Sequence, residues 1–177
     1  MDEQQKHAMY STLRENIIEH LFAGELLRRL WQRGVFDAEI LKSEFDAGGY
    51  DLVLTHEAHT RHIQLKISRV GGSRSHVSVN LRLSAKPSGC VVWIEVDDDL
   101  NIKGLWFFGG GPSQPLPDVK AMKIAKHTKG NAEGQKLERL GHRLIPKSHF
   151  KKVSDMDTLL EHLIDLRSTE GGDVHAI

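Results

Sequence analysis

The stretch DAGGYDLVLTHEAHTRHIQLK, residues 46–66, decides the fold. Asp51 opens the apolar run LVLT, and Gln64 and Lys66 follow thirteen and fifteen residues later with one apolar residue between them. Successive side chains of a strand point to opposite faces. Gln64 and Lys66 therefore project together on one face, while Ile63, Leu65 and Ile67 fill the other. Gly48 and Gly49 supply a turn before the first strand, since glycine accepts backbone conformations that other residues resist. Residues 56–59 form the polar tip between the two strands. An acid, an amide oxygen and an ammonium group on adjacent strands suit a divalent-metal site for phosphodiester hydrolysis.

Working outward, residues 12–32 carry Ile17, Ile18, Leu21 and Phe22, then Leu26, Leu27, Leu30 and Trp31, at helical spacing. They predict an amphipathic helix ending at Gly34. A strand is expected over 38–43. Beyond the central hairpin, HVSVNLRL alternates like a strand whose later part turns into a short helix. CVVWIEV, residues 90–96, reads as a buried strand stopped by three aspartates. A further strand is expected over 102–108, a loop over 109–117, a basic helix over 118–127 and a short strand over 142–145. Asp155 or Asp157 can cap a last helix running to Leu166, with Leu159, Leu160, Leu163 and Leu166 on one face. The order of elements predicts an α/β sandwich with a mixed central sheet flanked by helices.

The hydrophobic share, 39%, and the charged share, 27%, are those of an ordinary globular chain. Its length suits one domain over 1–167, with 168–177 as a flexible tail. No apolar run is long enough to span a membrane, and the polar, acidic N-terminus does not read as a signal peptide. The lone Cys90 allows no internal disulfide and fits a buried strand in a reducing, cytoplasmic setting.

With Gly48, Gly49, Asp51, Gln64 and Lys66 in place, the chain resembles the PD-(D/E)XK nuclease superfamily. The nearest likeness is to its Mrr-like and Holliday-junction-resolvase branches, where a Gly-Gly-x-Asp turn leads into an apolar strand and the second signature often reads Q-x-K. It runs from the opening helix to the strand near Val92. The resemblance implies a three-layer, restriction endonuclease-like fold and a Mg²⁺- or Mn²⁺-dependent endonuclease. Asp51 and Gln64 would hold the metal, and Lys66 would assist the attacking water. These branches also use a glutamate from the first helix, at the position occupied here by Ala23. Glu19, one turn earlier on the same face, is the expected substitute, with Glu25 in reserve. Asp46 matches an acid often found before the Gly-Gly turn.

Net charge is zero overall but unevenly spread. Residues 120–152 hold ten Lys and Arg against two acids, a net +8, while 153–177 carry a net −5. Such asymmetry is the footprint of a phosphate-binding surface. Lys120, Lys123 and His127 are expected on one helical face, with Lys147 extending the path along duplex or branched DNA. His56, His59 and His62 lie at spacings that a strand does not bring together, so they are read as a hydrated hairpin tip and not a zinc site. The leading expectation is a metal-dependent deoxyribonuclease, acting as a homodimer where both strands are cut. The alternative is a non-catalytic nucleic-acid-binding or defence-complex module on the same fold.

Overall fold

Ile18, Phe22, Leu26 and Leu30 recur every fourth residue, and all four are buried on one stripe of helix α1 (Ser11–Gln32). Burial of each such side chain contributes roughly 2 kcal/mol, and this stripe seats the helix on a sheet. The computed structural model describes residues 5–6, 9–45, 48–127 and 134–166. The predicted helix over 12–32 is present. Gly34, at φ +76°, follows it.

The sheet under α1 has six strands: β1 (Glu39–Lys42), β2 (Leu52–His56), β3 (His59–Arg69), β5 (Gly89–Val96), β6 (Ile102–Gly109) and β9 (Lys151–Val153), side by side in that order. β3 and β5 run parallel, and the other neighbours are antiparallel. The sheet is therefore mixed, as expected. A second, three-stranded sheet places β8 (Glu138–Pro146) between β4 (His76–Asn80) and β7 (Ile124–Lys126).

The two faces of the large sheet bury different partners. One meets α1 and the short helix α2 (Met156–Leu163) through Ile63, Leu65, Ile67, Cys90, Val92 and Ile94. The other meets the small sheet through Val91, Trp93 and Phe108 packed against Val77, Val79 and Ile145. The layers are thus helices, sheet and sheet. This corrects the expectation of helices on both flanks: among the described residues both α-helices lie on one side, and strands cover the other.

Three local expectations also change. Residues 118–127 form a turn followed by β7, not a basic helix. β8 extends well beyond the strand expected at 142–145. The last helix ends at Leu163, capped at Asp155, whose carboxylate accepts the Thr158 N–H at 2.7 Å. Residues 168–177, expected as a tail, lie outside the described residues, and so does Asp46. Among the described residues no helix is long and apolar enough to cross a membrane.

Candidate functional site

The paired register of β2 and β3 runs from His56 opposite His59 to Leu52 opposite Ile63. Beyond Ile63 the strands part, and from Leu65 to Arg69 β3 pairs with β5 alone. Asp51 stands where they separate. Its N–H donates to the Ile63 carbonyl at 2.9 Å, and its Oδ2 accepts the Leu65 N–H at 2.6 Å. The carboxylate is thus tied to the backbone between Gln64 and Lys66.

The turn that delivers Asp51 depends on glycine. Gly49 has φ +75°, and a Cβ there would lie 2.9 Å from the Asn80 Cβ and 3.1 Å from the Leu83 nitrogen. A side chain would meet both left-handed strain and a backbone collision. Gly49 lets the chain cross the start of the 3-10 turn at Leu81–Ala85 and descend into β2.

Between α1 and the open edge of β3 lies a cleft of about 350 Å³. Asn16, Glu15 and Glu19 line it from the helix, Asp51 and Lys66 from the sheet, and Arg74 from the loop before β4. Of the two glutamates expected from the helix, Glu19 reaches this place, and its carboxylate pairs with the Lys42 ammonium at 2.7 Å. Glu25 does not reach it. Two turns on, it accepts from Arg28 and Arg29, and the Arg28 guanidinium above all holds its carboxyl down at about 2. Glu15 joins Glu19 in the cleft unpredicted; its one signal in the sequence is its place one turn before Glu19.

Gln64 occupies a different position from its companions. It is buried on the face it shares with Lys66, opposite Val91 of β5, and its side chain is not among those lining the cleft. Its Oε1 is buried without a hydrogen-bond partner. A buried acceptor left unpaired costs about 1–3 kcal/mol. The carboxylates of Glu19 and Asp51 match the preference of hard divalent cations, whereas Gln64, expected as a third ligand, does not line the cleft with them. Among the described residues, however, no group of three or more His, Cys, Asp and Glu is placed to hold a metal. A cation here would need water or substrate oxygens to complete its shell.

The basic residues separate. Lys120 sits in the turn, Lys123 and His127 flank β7, and all three are exposed without sharing a helical face. Lys123 and Lys147 line one groove with His76. The Lys147 ammonium is already engaged, 2.6 Å from Glu95 and 4.3 Å from the Trp106 ring centre. Of the three histidines at the hairpin, His56 is buried and bonded to Asp37 at 2.8 Å, which corrects the hydrated tip. His62 meets Tyr50 edge-on at 4.9 Å, and burial with Lys86 nearby holds it below the ordinary imidazole value.

No family model matches this chain, and no curated protein matches it either.

Proposed function

We propose that the cleft between α1 and the open edge of β3 is the active site of a metal-dependent DNA endonuclease of the PD-(D/E)XK type. The placement of Asp51 carries this reading: its carboxylate is fixed to the Leu65 N–H, and Lys66 and Glu19 line the same cleft. Asp51 and Glu19 would hold Mg²⁺ or Mn²⁺, and Gln64, which does not line the cleft, stands outside that pair. Such ions are commonly bound through one or two carboxylates, with phosphate and water as the remaining ligands. When bound, the ion supplies Lewis acidity at the phosphoryl oxygen. Lys66 orients the attacking water and balances the negative charge that builds on the phosphorus-bound oxygens. Cleavage leaves a 5′-phosphate, and a homodimer would cut both strands. Lys120, Lys123 and His127 contact phosphates and position the duplex without reading bases.

A non-catalytic binding module is the second reading, and the Glu19–Lys42 ion pair favours it, because that lysine already neutralises one of the two carboxylates. The two readings separate on supercoiled plasmid incubated with Mg²⁺ or Mn²⁺. Nicking by the wild type that Asp51→Ala and Lys66→Ala both abolish supports the nuclease. DNA binding without nicking under either metal assigns the module, and nicking that survives both substitutions removes this cleft from the chemistry.

A further inference from the structure

The cleft at Asp51 does not end at Lys66. It shares Glu15, Ile67 and Arg74 with a second cleft of about 640 Å³ that follows the open edge of β3 to the turn at Gly71 and Gly72. Arg14 and Arg69 also line this larger cleft. Arg69 is paired with Asp98. Arg74 stands at the junction, where its Nη1 donates to the Ile67 carbonyl at 3.0 Å. A guanidinium has five N–H donors in a planar fork, and the fork suits phosphate oxygens. The next two residues, Ser75 and His76, line the groove that holds Lys123. Segment 74–76 therefore joins the cleft of Asp51 and Lys66 to the basic surface of the small sheet.

We propose that Arg74 grips a backbone phosphate of the DNA strand at this junction, so that the strand runs from the Lys123 groove past Arg74 into the cleft at Asp51. This rests on the endonuclease reading, which supplies the direction of the track. The track explains how the basic residues of β7, β8 and the turn before them, which lie on the other side of the sheet from α1, can serve a site on the helix side. Beyond Ile63 β3 has no strand beside it on the β2 side, and that edge, where Asp51 and Arg74 meet its backbone, is the passage between the two sides.

The test uses the full chain and a fluorescently labelled DNA duplex, with binding followed by anisotropy across a salt series in EDTA, so that no metal chemistry intervenes. Each phosphate contact adds about one to the slope of log affinity against log salt. Arg74→Gln, which removes the charge, should lower that slope by about one. Lys123→Gln should do the same, and Arg28→Gln, on the far end of α1, should leave the slope unchanged. In plasmid nicking, Arg74→Gln should raise KM with kcat largely kept, a split that loss of fold would not produce. An unchanged slope for Arg74→Gln overturns the track even if wild type nicks. A reduced slope in a protein that never nicks supports the track while removing the endonuclease reading. No binding of DNA by wild type overturns both.

Discussion

Replacing Gln64 by glutamate would put a carboxylate where a buried amide oxygen now lacks a partner. A buried carboxylate is costly unless a cation or hydrogen bonds compensate it. Gln64→Glu should therefore melt below wild type in EDTA, and because Gln64 does not line the cleft, Mg²⁺ should shift both proteins equally. Melting curves with and without Mg²⁺ measure this directly. A larger Mg²⁺ gain for Gln64→Glu than for wild type would bring residue 64 into the proposed metal site. The histidines set a different dependence. His62 is held below its ordinary value by burial and Lys86, and His162 by burial and Lys151. The unfolded chain therefore takes up these protons more readily than the folded one. Their contribution is complete above pH 6.5 and is lost as pH falls below it toward the lowered folded values. Glu25, lowered from 4.5 to about 2, adds a second loss as pH falls through that lower range. Urea midpoints measured against pH should show both declines, and His162→Gln should flatten the first.

Among the elements, α2 shows how a short helix is kept in place. Its eight residues bury Met156, Leu159, Leu160 and Leu163 against the face that also holds α1. Too short to be stable alone, it depends on that packing, on the Asp155 cap and on the Arg29–Asp157 ion pair at 2.6 Å. Leu160→Ala should cost about 3 kcal/mol, and Asp155→Ala less, both read from urea midpoints. The same contrast between long and short elements explains what the sequence made legible. The twenty-two residues of α1 and the eight of β5 repeat their patterns often enough to be read. β7 and β9, three residues each, show no period, and their pairing with β8 and β6 comes from tertiary contacts. The Lys-rich spacing over 118–127 imitated a helical face for that reason. Asp51 and Lys66 were legible because a tight hairpin fixes register. The burial of Gln64 was not, since alternation gives its face but not the small sheet that covers it. Glu19 and Glu25 could be ranked only by helix rotation until the strand edge was located.

Across the whole molecule, Arg61 ties together parts that are distant in sequence. It is fully buried in β3, with its guanidinium 5.3 Å from the centre of the Phe107 ring. Nη1 donates to Gly111 O at 2.8 Å and to Ser88 Oγ at 3.2 Å, while Nη2 donates to Gly110 O at 2.8 Å and His162 O at 3.2 Å. One side chain thus joins the central hairpin, the loop after β6 and the end of α2. Carbonyl oxygens surround it, so its charge is met by dipoles, and its neighbour Cys90 has its thiol pushed up to about 11 by burial despite the nearby cation. Arg61→Met would keep most of the volume and strand several carbonyls without donors, each costing about 1–3 kcal/mol. The expected result is a urea midpoint far below wild type, with an unchanged slope if the same surface is exposed on unfolding. The brace lies at the His59 end of β3, away from the open edge where Asp51 and Lys66 meet. Nicking per folded molecule, measured well below the melting temperature, should therefore stay at the wild-type level. A loss of nicking in fully folded Arg61→Met would show that the loop at 110–114 and the cleft move together.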